Sequence, residues 1–186
     1  MDRICKERQI EIIGGHTAVS GAIKKPILSI TAIGKRNEKK WERTRPNQDI
    51  IVTKFIGLEG CGLLAIKKEE ELATRYSHDF LNSAKKFLDY LSIIPEAAVA
   101  GRYGATAMHN VSEGGIFGAL WEMMDGAGTG MEIDLKSIPI RQETVEICEF
   151  FDLNPYQLLS GGALLITADK GQELVKELQK RGFQQQ

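Results

Sequence analysis

The period of apolar and polar residues changes several times along this chain, and each change predicts an element. Ile4, Arg8 and the charges between them suit a short amphipathic helix, followed at once by the apolar run 10–13 as a strand and a corner at residues 14–17. Residues 26–34 are rich in β-branched side chains and predict a second strand. Residues 35–48 are polar and charged and predict a solvated loop, and residues 49–57 predict a third strand. From Leu58 to Leu91 the spacing of Leu72, Tyr76, Phe80, Ala84, Phe87, Leu88 and Leu91 is helical, with Ser77 as a break between two helices.

Pro95 opens a short segment before a strand of small residues at 105–109. A polar corner ending in Gly114-Gly115 follows, then a helix that closes near Gly126. Residues 130–135 predict a short strand, and 141–153 a helix with Val145, Cys148 and Phe151 on one side. A second glycine corner, 160–162, leads into a strand at 163–169. The last helix, 171–182, turns Leu174, Val175 and Leu178 inward, and Gly182 is placed to stop it. Strands interleaved with helices imply a layered α/β or α+β sheet fold, in which Met108, Trp121, Met123 and Met124 are most simply core.

Composition narrows the function classes. A chain of 186 residues, 42% hydrophobic, can bury a sizeable core in one or two domains. Its 24 Lys and Arg against 25 Asp and Glu create no large basic field, which argues against nucleic acid or an anionic membrane as partner. No apolar run approaches the roughly 18 residues of a membrane helix, and the first ten residues lack the apolar core of a secretory signal, so the cytoplasm is the expected compartment. Cys5, Cys61 and Cys148 form no CxxC pair and read as reduced thiols, mostly buried, with Cys5 more exposed.

Two glycine corners carry candidate chemistry. A strand running into Gly114-Gly115 at a helix start can bring main-chain N–H groups close to a phosphate; alternatively Asn110 or Ser112 caps the helix and the glycines permit close packing. Gly14, Gly15, His16 and Thr17 offer a polar cleft edge or a plain turn requiring positive φ. Glu113 can pair with His109 as acid and base, or simply favour the positive end of the helix. Lys54, inside an apolar strand, must face solvent or meet an anion. His16, His78 and His109 lack metal-ligand spacing, so no metal ligands are assigned.

The stretches IIGGHTAVS (12–20), PILSITAIGK (26–35), DIIVTKFIGLEG (49–60), MHNVSEGGIFGAL (108–120), GMEIDLKSIPI (130–140) and LSGGALLITAD (159–169) together resemble, in order, the aminoimidazole ribonucleotide synthetase-related superfamily, nearest its hydrogenase maturation branch. The resemblance implies an α+β fold: a C-terminal domain of α/β/α layers with a mixed, partly ferredoxin-like sheet, closing over a nucleotide held mainly by a separate N-terminal domain. Residues 1–22 would be the end of that N-terminal domain and 23–186 the C-terminal domain, slightly shortened at its end. The implied activity is ATP- and magnesium-dependent activation of a carboxamide or acyl oxygen by phosphoryl transfer, with the chain inactive alone. Purine-synthesis enzymes that make aminoimidazole ribonucleotide or formylglycinamidine ribonucleotide are the enzymatic alternative, and a ligand-binding or dimerisation module the non-catalytic one. Gly14, Gly15, His16, Thr17, Lys54, Asn110, Ser112, Glu113, Gly114 and Gly115 would line the cleft. A nucleotide or phosphate ligand, a second copy of the chain and hydrogenase maturation proteins are the implied partners. Where that branch places Asp, Thr and Arg before the glycines, this chain has Asn110, Ser112 and Glu113.

Overall fold

The computed structural model describes residues 2–35 and 43–182, and contacts divide the chain into two units, 1–39 and 40–186. In the first, helix α1 (Asp2–Glu7) carries ion pairs one turn apart, Lys6 with Asp2 at 2.9 Å and Arg3 with Glu7 at 3.6 Å. Residues 10–34 contain no strand, so the strands expected at 10–13 and 26–34 are not formed. A β-branched sequence expresses its preference through a neighbouring strand, and no described residue pairs with these. The loop expected at 35–48 lies partly outside the described residues; its described part, 43–48, is irregular.

The second unit is built on an antiparallel sheet of β1 (Asp49–Val52), β2 (Ala105–Asn110) and β3 (Leu164–Ala168), in the order β1-β3-β2. Every residue of the central β3 is buried, which is why its sequence reads as an apolar run rather than an alternation. One sheet face presents Ile51, Leu164 and Ile166 to Val99 and Ala100 of α5 (Ile94–Arg102) and to Leu174 and Leu178 of α8 (Gly171–Lys180). The other presents Val52 and Leu165 to Ile116, Ala119, Leu120 and Met123 of α6 (Gly115–Ala127). The result is an α+β fold in α/β/α layers. A further core, with Leu58, Cys61, Leu72, Leu81 and Ile147, joins α2 (Leu58–Lys67), α3 (Glu69–Leu72), α4 (His78–Lys85) and α7 (Gln142–Phe150).

Several elements depart from the sequence reading. The strand expected through residue 57 stops at Val52, because Lys54 turns the chain at φ 57°. Residues 130–134 form no strand and lead into a 3₁₀ turn, Leu135–Ser137; the parallel pairing expected of a mixed sheet is confined, among the described residues, to the bridge between Ile56 and Ile140. Ser77 caps α4 by accepting the Phe80 N–H at 3.3 Å, but the 58–91 stretch is several short helices rather than two. The inner side of α7 is Thr144, Ile147 and Cys148, whereas Val145 is exposed. Met123 and Met124 are core, Met108 packs on the opposite sheet face, and Trp121 is 63% exposed.

Candidate functional site

In an antiparallel sheet the C-terminal ends of β1 and β2 and the N-terminal end of β3 fall on one edge, and here that edge gathers most of the polar candidates. Thr53 donates its N–H to the Leu164 carbonyl at 3.0 Å and accepts the Leu164 N–H on its hydroxyl at 3.0 Å, closing the β1–β3 end. On the other side of β3, the Val111 N–H reaches the Ala163 carbonyl at 3.1 Å. Lys54, the 110–115 corner and the 160–162 corner are thereby placed side by side.

The two glycines of the 114–115 corner are both in the left-handed region, at φ 77° and 61°. Gly115 is also sterically required: a Cβ there would run into the Tyr156 carbonyl oxygen and lie 2.7 Å from the Gln157 carbonyl carbon. Its N–H is spent on the Ser112 carbonyl at 3.1 Å, and the Phe117 N–H points to the Tyr156 carbonyl at 3.3 Å. The close approach at Gly115 thus serves the 156–160 loop, which Phe117 and Tyr156 also join by stacking at a centroid distance of 5.2 Å. Gly114 is exposed, as are Asn110 and Glu113, and Ser112 is half-buried. Glu113 does not pair with His109. The His109 ring instead places Nε2 3.0 Å from Glu122 Oε2 on α6 and Nδ1 2.7 Å from the Asn110 carbonyl.

Lys54 meets its anion inside the protein. Its ammonium lies 2.7 Å from Glu96 Oε1 and donates to the carbonyls of Ser92 at 2.9 Å and Gly162 at 2.7 Å, which uses all three of its N–H bonds. The left-handed turn at Lys54 directs the side chain back to these acceptors, while Gly162 at φ 102° supplies the facing carbonyl.

Local sequence pattern does not reveal three parts of this edge. Ser160 is buried; its hydroxyl accepts the Gly57 N–H at 2.7 Å and donates to the Leu158 carbonyl at 2.6 Å, and its N–H reaches the Ser112 carbonyl at 3.4 Å. Gly57 and Gly60 pack so tightly on Thr144 and Leu158 that a Cβ at either would come to 2.5 Å from a side-chain carbon. Glu59 lies directly over Gly161, in the space a side chain there would need. The repeated glycines of GLEG and SGG are the available signal, and their meaning emerges only when the two loops are seen to face each other.

Gly14, Gly15, His16 and Thr17 belong to the first unit and are exposed. Neither glycine has positive φ, and a Cβ at either would meet nothing within 4 Å, so no turn or close packing there demands glycine. Among the described residues no three His, Cys, Asp or Glu side chains gather as a metal-binding group, and no helix is long and apolar enough to cross a membrane. Cys61 and Cys148 are buried free thiols and Cys5 is partly exposed.

A separate cleft of about 610 Å³ lies beside β1, with Ile50, Val52, Ile116, Leu120 and Met124 in its apolar lining and Arg45, Asp49, Glu132 and Asp134 among its polar residues.

Residues 45–185 match the family model for the AIR synthase related protein, C-terminal domain. The carbamoyl dehydratase HypE of Rhodobacter capsulatus is 26% identical over 171 residues, covering 89% of this chain and 48% of that protein. Crystal structures of the same fold include the hydrogenase maturation protein HypE of E. coli (TM-score 0.62, 16% identity, 77% of this chain and 43% of that one). Another is HypE in complex with ATP, with a TM-score of 0.54 and 17% identity over 75% of this chain and 40% of that one. The chain spans about half the length of the curated relative it matches here. With the match running through β1, all three strand ends of the glycine-lined edge and α8, the chain belongs to the AIR synthase related protein family, by its C-terminal domain.

Proposed function

We propose that this chain supplies the C-terminal part of an ATP-dependent enzyme of the hydrogenase maturation type, which activates a carboxamide or acyl oxygen by phosphoryl transfer. The observation that carries the reading is the convergence of the Asn110–Gly115 corner with the Ser160–Gly162 corner on one sheet edge, in a chain related to carbamoyl dehydratases. In the proposed reaction the substrate oxygen forms a bond to the γ-phosphorus as the bond to the β–γ bridging oxygen breaks and ADP leaves.

The chain's own residues have two tasks in this scheme. Asn110, Ser112 and Glu113, at the end of β2, present polar side chains toward the nucleotide, and the exposed Gly114 lets it approach the main chain. Lys54, Glu96 and Ser160 hold the strand ends in register and contact no ligand. A divalent cation bound with the nucleotide would neutralise charge on the transferring group, and the proposal assigns it no ligand from this chain. Residues 1–22 are proposed as the end of the partner domain that holds most of the nucleotide.

Calorimetric titration of the chain with ATP and magnesium tests this. The expected result is saturable heat at micromolar ligand, weakened about tenfold by Ser112→Ala with Glu113→Ala while the melting temperature holds. Absence of heat, or heat indifferent to both substitutions, overturns the assignment of nucleotide contacts to this corner.

A further inference from the structure

The cleft beside β1 is unclaimed by the nucleotide reading. All of its lining residues lie in the second unit, and its volume of about 610 Å³ falls within the roughly 300–1,000 Å³ of small-molecule sites. Ile50 and Val52 of β1 and Ile116, Leu120 and Met124 of α6 give it an apolar floor, and the irregular segment 129–134 is its far wall. The strand also offers main-chain groups. Thr53 donates its N–H to Leu164, and Val52 and Ile50 stand opposite Leu165 and Thr167. Antiparallel alternation therefore turns the N–H and C=O of Ile50 and Val52 away from β3, toward the cleft that these two residues line.

The rim above this floor is acidic. Asp49, Glu132 and Asp134 line it against a single base, Arg45, which is already paired with Asp169 at 2.8 Å. Asp49 accepts the Gly171 main-chain N–H at 2.9 Å, and Asp134 accepts the Lys136 main-chain N–H at 3.0 Å and the Ser137 hydroxyl at 3.1 Å. These neutral donors orient the two carboxylates without cancelling their charge. Glu132 is exposed on the far wall. Met124 and Thr129, also in the lining, flank the C-terminal end of α6, where the helix carries partial negative charge. Every one of these groups repels an anion, and the apolar floor disfavours a small, strongly hydrated cation.

We propose that this cleft binds a small organic cation, a primary amine carrying an apolar body. The body lies on Ile116, Leu120 and Met124, and the ammonium meets the Glu132 carboxylate and the outward carbonyls of β1, which suit its three N–H donors. Floor and rim are then satisfied by one ligand. The proposal does not depend on nucleotide binding.

Titration calorimetry of the whole chain with tryptamine tests it, with indole-3-propionate as the anion of similar body and ethylamine as the cation without one. Tryptamine should bind saturably below millimolar concentration, and each control at least about tenfold more weakly. Glu132→Lys, an exposed change on the irregular wall, should weaken tryptamine at least about tenfold and strengthen indole-3-propionate, an inversion that mere loss of folding cannot produce. Absence of saturable tryptamine heat, equal binding of tryptamine and either control, or a preference unmoved by Glu132→Lys overturns the proposal. Saturation by tetralysine but not by tryptamine would assign the acidic rim to a basic protein segment and overturn it equally. Heat of ATP binding should be the same in Glu132→Lys, which keeps this outcome separate from that of the nucleotide reading.

Discussion

Lys54 Nζ lies 2.7 Å from Glu96 Oε1, joining the turn after β1 to the first turn of α5, with 1% of the Glu96 side chain exposed. A lysine in the left-handed region costs about 1–2 kcal/mol of backbone strain, which the pair and two carbonyl acceptors offset. The second carboxylate oxygen of Glu96 is buried without a hydrogen-bond partner, so the charge depends heavily on Lys54.

Removing either member alone should therefore be costly. Lys54→Met leaves a buried carboxylate uncompensated and should lower unfolding stability by about 3–5 kcal/mol, read as a reduced denaturant midpoint. Lys54→Met with Glu96→Gln should be less destabilised than the sum of the single variants. Strict additivity would mean that the two charges do not depend on each other.

Glycine substitutions should separate required from incidental glycines within a single helix. Gly115→Ala meets the Tyr156–Gln157 main chain and keeps a positive φ, and should cost about 3 kcal/mol. Gly126, in the last turn of α6, has open space around its Cβ position and ordinary φ, so Gly126→Ala should stabilise by about 0.5–1 kcal/mol. Thermal melts of both variants check the pair, and equal losses would contradict the geometry.

The same contrast explains what can be read in the sequence. Helix α6 and strand β3 are legible because their pattern is local: a 3.6-residue apolar period in one, an unbroken apolar run in the other. Lys54 is recognisable as needing an anion, but Glu96 lies 42 residues away on another element, and no local pattern points to it. Residues 130–135 alternate like a strand, yet ladder bonds need a partner that the fold does not place beside them. Trp121 stands in sequence among Leu120, Met123 and Met124 and so reads as core, although it faces solvent on the outer side of α6. The glycine corners are visible as punctuation, while the close contact of Gly115 with residues 156–157 depends on long-range packing.

A polar network inside the sheet makes a further prediction. The hydroxyl of the buried Thr167 lies 3.2 Å from that of Thr44 and 3.0 Å from that of Thr106, which sits at the irregular register of β2. Thr167→Val keeps the shape and removes the shared hydroxyl, leaving Thr44, itself 7% exposed, without that bond. A loss of about 1–2 kcal/mol is expected, whereas Thr167→Ser should retain the bonds and lose less. Equal losses in urea unfolding would show that the methyl group, not the hydroxyl, matters.

Alkaline pH should expose the cost of the two buried thiols. Burial raises the Cys61 thiol from 9.0 to about 12 and the Cys148 thiol from 9.0 to about 11. Above the unfolded value the unfolded chain releases these protons while the native chain keeps them, so stability must fall as pH rises. The loss begins near pH 9, reaches about 1.4 kcal/mol per pH unit for each thiol, and ends as pH passes about 11 for Cys148 and about 12 for Cys61. Below pH 9 both groups are protonated in both states and contribute no slope. Urea unfolding from pH 8 to pH 10.5 should show this decline, and Cys61→Ala with Cys148→Ala should flatten it even though the cavities lower stability at every pH. A thiol reagent at pH 8 should label Cys5 rapidly and the other two only on unfolding; prompt modification of all three would show that the buried pair is open to solvent.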